Sequence, residues 1–531
     1  MLPNGSMSSE SSRSAVAGTA TPDLDTEVLI VGAGPVGCWL AAELRDAGVR
    51  VVVIEARESR AEWSRGFVVH PRTLEILDSR GVAAQMVETG RRLPAWHFAM
   101  GTSYLDFTTL GTAFPFVLIK PQARTEELLE ERLNRSGGSV QRGQRAVGLT
   151  QYADRVEVRV ASDDGAERTL TAGFVVGCDG ARSTVREAAG IDFTGNPDSI
   201  VSPSALVELA DPPPPDQYMQ VRDQGIFFTI ALPDGRFVVS TIDHAVMNDV
   251  ETEWSAEMMR ASLRRVVGTD FGMGEPERIS KIGNSAKQAD RYRERRVLLA
   301  GDAAHVHFPM GGQGMNLGIQ DAHNLAWRLT GAVRAQRANP GSPLADGLLD
   351  GYEAERRPAG ARVLEDVRAQ MALVAATGAD GIALRSRYRA LLSDYPLANL
   401  QYAYRLSGLD VQYPASAGDD PRLGKRVPDL VLEVDGIPTR LYDVLRTAGP
   451  GRFVYLDLRG GPEKPDPALD PAEVVTVAAR SVLGPDWAVQ QGWSRPESIL
   501  IRPDGHIASI GVEDGTALAA LASCRGHEIE A

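Results

Sequence analysis

An α/β fold is predicted, and three stretches of the sequence carry that prediction. In the first, Val28-Leu29-Ile30-Val31 runs directly into Gly32-Ala33-Gly34-Pro35-Val36-Gly37. A helical pattern follows (Trp39, Leu40, Ala42, Leu44), then a second apolar run over 51–54 that ends on Glu55. In the second stretch, residues 295–300 read as a buried strand ending at Gly301-Asp302. A glycine cluster, Gly311-Gly312-Gln313-Gly314, then feeds a long helical pattern. Between these two lies the third stretch, where residues 225–232 and 236–242 flank Pro233-Asp234-Gly235 and read as a β-hairpin.

The first stretch is strand, glycine turn, helix, strand. Gly32 permits a tight turn, Gly34 permits backbone N–H groups to approach a pyrophosphate, and Gly37 permits close packing of helix on sheet. Pro35 and Val36 open the helix, whose N-terminus presents unpaired N–H groups and a positive dipole end to phosphates. Glu55 closes the second strand, where a carboxylate accepts hydrogen bonds from an adenosine ribose. A lone Gly-x-Gly-x-x-Gly is a weak signal. Set between two strands with an acid at the end of the second, it predicts a bound dinucleotide.

The totals bound the rest. A chain of 531 residues, 43% hydrophobic and 24% charged, has room for about two or three domains with large cores. A net charge of −14 argues against nucleic acid or an anionic membrane as main partner, since a basic face is the usual footprint of either. No apolar run approaches the roughly 18 residues that span a bilayer. Residues 1–23 are rich in Ser, Ala and Gly without the apolar centre of a signal peptide, and read as a disordered tail. The three cysteines, Cys38, Cys178 and Cys524, are scattered. That spacing argues against disulfides and a zinc site, and the expected location is cytoplasmic. No metal is expected.

Taken in order, Arg65 follows the second strand and is either a surface arginine or a charge-assisted donor beside a pyrophosphate. Pro71 opens a helix over 71–77, as helix first turns allow. Residues 93–120 are aromatic-rich, with Trp96, Phe98, Tyr104, Phe107, Phe114 and Phe116, and 114–120 reads as a strand. A helix is expected from about Glu126, with Thr125 as its N-cap and Gln122 and Arg124 in the preceding loop. Loop polar residues there face either ligand or solvent. Strands are expected over 156–160 and 170–176. Cys178-Asp179-Gly180 then starts another strand–turn–helix junction that includes Arg186. Asp179 is either a surface turn acid or an orienter of groups at the cofactor phosphates.

Four prolines, Pro212 to Pro215, mark a turn or hinge before the hairpin. The hairpin aromatics Phe227, Phe228 and Phe237 read first as core, although an inserted sheet is a natural roof over a cofactor. A helix with Met258, Leu263 and Val266 follows. Asp302 lies at a strand's carboxyl end, where open α/β sheets bind ligands. The glycine cluster before Leu317 is a second anion- or oxygen-accepting helix start. His305 and His307 are two apart and do not share a helix face, so they read as packing or hydrogen-bonding groups. Residues 345–380 look helical. The region after 415 differs again, with short strands over 453–456 and 499–501, turns at Gly460-Gly461-Pro462 and Arg502-Pro503-Asp504-Gly505, and a last strand near 506–510.

Three signals now stand together: Gly32/Gly34/Gly37 with Glu55, the Cys178-Asp179-Gly180 segment, and Gly301-Asp302 with its trailing glycines. Over residues 24–380 this combination resembles the class A flavoprotein monooxygenases, the FAD-dependent aromatic hydroxylases of the p-hydroxybenzoate hydroxylase type. The strand running into Arg502-Pro503-Asp504-Gly505 resembles the thioredoxin-like domain of the longer members, which include phenol and aromatic polyketide hydroxylases. It has no Cys-x-x-Cys, so redox activity is not expected there.

The resemblance implies a Rossmann-like, glutathione reductase-like FAD-binding domain with an inserted β-sheet substrate domain and a C-terminal thioredoxin-like domain. The expected divisions are 24–200 (first FAD part, contributing to the substrate sheet near 93–120), 201–290 (substrate sheet), 291–400 (second FAD part and long helices) and 401–531 (thioredoxin-like). By the same resemblance, Gly32, Gly34, Pro35, Val36 and Gly37 cradle the FAD pyrophosphate and Glu55 binds the adenosine ribose. Arg65 and Gln122 contact the pyrophosphate or ribityl region, and Asp302 holds a ribityl hydroxyl. Gly312, Gly314, Met315 and Asn316 face the pyrimidine end of the isoalloxazine. Asp179 and Arg186 match the motif this family associates with both FAD and nicotinamide nucleotide.

The implied reaction is FAD reduction by NADPH or NADH, O₂ addition at flavin C4a, and transfer of one oxygen from the hydroperoxide to an electron-rich ring. The cofactor carries the chemistry, and no catalytic side chain is assigned. A small aromatic or polycyclic substrate is expected between flavin and hairpin sheet, against Trp96, Phe228, His244 and Pro309. His97, His244 and Tyr218 are in the right region for a base but carry no specific signal. Baeyer–Villiger insertion, antibiotic-inactivating oxygenation and a flavin-binding protein without turnover are the alternatives. The assembly is expected to be a monomer or homodimer.

Overall fold

The computed structural model describes residues 24–60, 66–214, 218–232, 234–340, 342–414, 420–459, 469–479, 482–483, 493, 497–511, 517, 520, 521 and 524. The tail over 1–23, Arg65, Pro215 and the Gly460-Gly461-Pro462 turn lie outside that set.

The first predicted unit forms as expected. Strand Thr26–Val31 pairs in parallel with Val51–Glu55 on one side and with Glu167–Gly177 on the other. Val297–Leu299 extends the sheet in parallel beyond Glu167–Gly177, and Val140–Arg142 does so beyond Val51–Glu55. A parallel sheet is covered on both faces, so its strands read as continuous apolar runs. Val28, Leu29, Ile30, Val175, Val176, Leu298 and Leu299 accordingly have no exposed surface. Two covering helices, Pro35–Asp46 and Gly314–Ala338, pack against each other across one face.

The inserted hairpin also forms, as Gly225–Ala231 and Phe237–Asp243, inside a five-stranded sheet with Met219–Arg222, Val201–Val207 and Arg278–Gly283. Successive residues face opposite ways, as a strand's period of two requires. Phe227 packs with Val239, Leu263 and Phe271 beneath helix Ala256–Val267, whereas Ile226 and Phe228 face an apolar cluster shared with Phe308 and Met310. The hairpin aromatics are therefore core beneath that helix on one face and part of the cluster around Phe308 and Met310 on the other.

Four expectations change. The strand expected over 114–120 is shorter, Val117–Ile119, and pairs with Val68–Val69 and Arg91–Leu93. Strands Ala95–Phe98 and Ser103–Asp106 pair only with each other, so the 93–120 region packs against the five-stranded sheet without joining it. The helix expected from Glu126 begins four residues earlier, at Gln122, with Pro121 at its N-cap. Proline's fixed φ suits that boundary, so Thr125 lies inside the helix and caps nothing. The helical region after 343 is also broken. It forms Pro343–Ala375, Gly378–Asp394 and Pro396–Ser407, because Ala376 and Thr377 take extended backbone between the first two, and Tyr395, held extended before Pro396, does so between the second and third.

The C-terminal part builds a mixed sheet. Phe453–Asp457 pairs in parallel with Val474–Ala478 and antiparallel with Ser498–Ile501, which pairs antiparallel with Ile507–Gly511. Its Arg502–Gly505 loop is driven into the rest of the molecule. Arg502 makes two bonds to Glu355, at 2.6 and 2.8 Å, and pairs with Asp504. Asp504 also accepts from Asn324 and from Trp327 Nε1, each at 3.2 Å, and its carbonyl accepts from Arg72 at 2.9 Å. Burial pushes the Glu355 carboxyl up, yet Arg502 and Arg328 override it and hold the group down near 2. Among the described residues no helix is long and apolar enough to cross a membrane.

Candidate functional site

A cavity of about 990 Å³ opens between the carboxyl ends of the parallel strands, at the upper end of the ~300–1,000 Å³ typical of ligand sites. Both glycine turns line it. From the first come Gly32, Gly34, Pro35 and Val36, with Glu55 at the end of the neighbouring strand. From the second come Asp302, Pro309, Gly312, Gly314 and Met315. Gln122 and Asp179 complete the predicted set at its wall.

The first turn is shaped by contact. Gly32 takes φ +104°, and a Cβ there would lie 2.3 Å from the Cys178 carbonyl oxygen. A Cβ on Gly37 would lie 2.0 Å from the Gly32 carbonyl oxygen. At Gly34 the same atom would meet nothing within 4 Å, so this residue faces the open cavity. Gly34 is the N-cap of helix Pro35–Asp46, and no side chain caps that end. The Glu55 carboxylate accepts from Ala33 N at 2.9 Å, Arg57 N at 3.0 Å and Arg57 Nε at 3.1 Å. Burial alone would raise its pKa, but these N–H donors hold it below the usual carboxylate range. The carboxylate is thus oriented at the cavity edge with lone pairs to spare.

The second turn is shaped by polar side chains reaching in from elsewhere. Asn316 Oδ1 accepts from His70 N at 2.8 Å, and Asn316 Nδ2 donates to Val68 O at 3.0 Å and Gly312 O at 2.8 Å. The Gly311 carbonyl meets His70 Nε2 at 2.9 Å and accepts from Trp96 Nε1 at 3.1 Å. Gly311 and Gly312 take φ +69° and +76°, which only glycine adopts without strain. The helix that follows starts at Gly314 with no side-chain cap, leaving first-turn N–H groups available toward the cavity.

Several predicted residues also hold local structure. Arg186 does not line the cavity. It donates to Ala303 O and Ala181 O, both at 3.0 Å, and its guanidinium lies 3.9 Å from the centre of the Phe193 ring. Asp179 accepts from Ser183 Oγ at 2.5 Å and Val185 N at 3.1 Å, so it secures the start of helix Thr184–Ala188 at the cavity wall. Gln122 is in a helix first turn, donating to Glu126 at 2.8 Å, and Arg124 is an exposed partner of Glu127 at 2.7 Å. The loop expected at 122–124 is therefore the start of that helix, for the proline reason given above.

Gly37 and Asn316 support the turns from behind. Trp96 is a strut under Gly311, and Phe228 faces the apolar cluster beside the cavity. Both ring nitrogens of His244 meet carbonyl oxygens, Asp223 O at 3.1 Å and Val374 O at 3.2 Å, so it ties sheet to helix away from the cavity. His97 is pushed down to about 3 by burial, then by nearby His70, and Tyr218 is pushed up by burial, then by nearby Tyr104. At neutral pH His97 is therefore an uncharged, weakly basic imidazole, and Tyr218 keeps its phenolic proton.

The sequence reading missed Arg57, Arg145, Arg182 and Arg278 at the cavity rim and gave His305 and His307 no place at its wall. Rim arginines lie on strand ends and turns with no local pattern. The two histidines stand in the segment between Asp302 and the glycine cluster, which was the available signal.

The residues present fit FAD. Two uncapped helix starts open onto one cavity, one glycine leaves room for a close ligand approach, and the carboxylates of Glu55 and Asp302 both line it. Comparison with known proteins agrees. A family model described as FAD binding domain matches residues 25–367, and one described as aromatic-ring hydroxylase, C-terminal, matches residues 420–526. The chain is 40% identical over 486 residues to an uncharacterized aromatic compound monooxygenase, YhjG, of Bacillus subtilis (strain 168), covering 91% of this chain and 93% of the relative. It is 35% identical over 492 residues to a rifampicin monooxygenase of Rhodococcus hoagii, covering 92% and 95%. It superposes on the OxyS anhydrotetracycline hydroxylase from Streptomyces rimosus with a TM-score of 0.82 at 36% identity, covering 95% of this chain and 100% of that one. The chain belongs to the FAD-dependent aromatic-ring hydroxylases, a family of flavoprotein monooxygenases.

Proposed function

We propose that this monooxygenase hydroxylates a phenolic ring of a multi-ring aromatic compound, using NADPH or NADH and O₂. The carrying observation is the apolar wall beside the cofactor cavity. Phe228, Ile226 and Ile242 of the five-stranded sheet, with Phe308 and Met310 of the second glycine turn, form one cluster next to Pro309 at the cavity edge. Of these, half-buried Phe228 offers a ring face for a flat aromatic substrate, and the others back it from the core. The anhydrotetracycline hydroxylase and the rifampicin monooxygenase, both similar along nearly the whole chain, support a large polycyclic substrate.

FAD bound here would supply the redox chemistry: electrons from a nicotinamide nucleotide reduce O₂, one oxygen atom going to an electron-rich ring and the other leaving as water. The chain's part is binding, orientation and exclusion of water. N–H groups of Val36 and Gly37 at the first helix start meet the pyrophosphate, and Glu55 meets the adenosine ribose. Asp302 holds the ribityl chain, and N–H groups of Gly314, Met315 and Asn316 stabilise negative charge at the pyrimidine end. Burial pushes His307 at the wall, and His70 behind Gly311, down to about 4, so both are neutral at pH 7. They put no fixed positive charge beside an apolar substrate.

The C-terminal unit, with a parallel strand pair continued by two antiparallel strands, supports the thioredoxin-like reading. The division of the chain near residues 24–200, 201–290, 291–400 and 401–531 goes with it.

The test is direct. Purified protein should be yellow, and a panel of phenols and polycyclic quinones should include members that stimulate NAD(P)H oxidation and gain one oxygen in product mass. Stimulation without substrate oxygenation across the panel would overturn the substrate class. Colourless folded protein that refuses added FAD would overturn the cofactor assignments.

A further inference from the structure

The turn that carries Asp302 is held from behind by a buried charge chain that reaches the C-terminal unit. Asp321, on helix Gly314–Ala338, uses one oxygen at both ends of the turn. Its Oδ2 accepts from Gly301 N at 3.2 Å and lies 2.6 Å from His305 Nε2. One carboxylate oxygen thus fixes the separation of Gly301 and His305, between which Asp302 enters the cavity. On the other side Arg186 grips Ala303 O at 3.0 Å.

Asp321 Oδ1 accepts from Arg356 Nε at 2.8 Å, and both side chains have no exposed surface. Arg356 donates to the Tyr413 hydroxyl at 3.0 Å and to Leu317 O at 3.3 Å. The Tyr413 ring lies 4.2 Å from that of His506, and the Arg502 guanidinium lies 5.0 Å from its centre. Both of those residues flank the Asp504 loop of the C-terminal unit. A fully buried ion pair is a weak source of stability, because desolvation offsets most of its attraction. Its presence behind one cofactor-facing turn calls for another use. Groups that orient a ligand-holding side chain from behind are such a use.

We propose that Asp321, Arg356 and Tyr413 are positioning residues for the flavin, and that Tyr413 couples the C-terminal unit to the Asp302 turn. The chain runs His506–Tyr413–Arg356–Asp321–Gly301/His305. None of these side chains needs to touch substrate. The proposal rests on the reading of Asp302 as a flavin-holding group.

The experiment is FAD titration into apoprotein, followed by flavin fluorescence and visible absorbance, with apoprotein melting measured in parallel. Asp302→Ala is included to test the underlying reading. Tyr413→Phe keeps the ring on His506 and removes only the hydroxyl. It should raise the FAD dissociation constant about 5-fold, one hydrogen bond's worth, and shift the flavin absorbance envelope. Asp321→Asn should raise it by roughly 10–100-fold. His305→Gln retains a donor toward Asp321 and should bind FAD more tightly than His305→Phe, which keeps the proposal testable if Asp321→Asn does not fold. If Asp302→Ala weakens FAD while Tyr413→Phe and the two His305 variants only lower the melting temperature, the positioning chain is refuted. If Asp302→Ala binds FAD like the parent, the site reading fails instead.

Discussion

The two glycine turns that grip the cavity are built on different principles. At Gly32–Gly37 the shape comes from backbone meeting backbone: a Cβ on Gly32 or Gly37 would strike a carbonyl oxygen at 2.3 or 2.0 Å. At Gly301–Asn316 the shape comes from side chains that arrive from far along the chain. His70, Trp96, Arg186 and Arg356 all tie down this turn or the carboxylate behind it. A steric turn has no weak member to lose gradually. A tied turn loses order one hydrogen bond at a time, and it can be adjusted by distant elements.

The two should therefore fail differently. The largest effect is expected from Gly37→Val, which forces backbone apart at the first turn. It should cost more than about 4 kcal/mol, seen as loss of soluble folded protein or of a cooperative melt. Asn316→Ala removes three buried hydrogen bonds from the second turn. It should cost about 3 kcal/mol in denaturant unfolding while leaving folded protein with weakened FAD binding. A folded, FAD-binding Gly37→Val protein would remove the distinction between the turns.

Acid should separate the turns as well. Around the second turn stand His70 and His307, pushed by burial to about 4, and His97, pushed to about 3, against an ordinary value of about 6.5. The unfolded chain binds these protons first, so stability falls as pH drops from about 6.5 toward 4. Glu55 at the first turn is depressed instead. Its contribution is present above the ordinary carboxyl value of about 4.3 and is lost only as pH falls further. Denaturant melts between pH 7.5 and 4.5 should show a slope that His70→Gln lessens by about one proton. An unchanged slope would remove His70 from this account. The smallest effect is expected from Arg124→Ala, whose exposed pair with Glu127 is screened by solvent: the denaturant midpoint and FAD affinity should both stay unchanged.

Much of this was legible in the amino-acid order. The strand–turn–helix–strand unit over 26–55, the hairpin and the strand leading to Asp302 all formed, because apolar periodicity and glycine placement act within a few residues. The start of the helix at Gln122 was misjudged because a plausible threonine cap competed with the proline boundary. Trp96 and His244 read as substrate candidates, since an aromatic or imidazole near a site carries no mark of its hydrogen-bond partner. Their partners, Gly311 and Val374, lie 215 and 130 residues away.

The sequence by itself determined where the backbone turns and which helix starts are left open, since those follow from sterics and from N–H groups without a neighbour. Only the tertiary structure decided which buried charges meet. Asp321 with Arg356 and Glu355 with Arg502 are 35 and 147 residues apart. A charge taken out of water must find its partner through the packed core, and nothing within a few residues of either records where that partner stands.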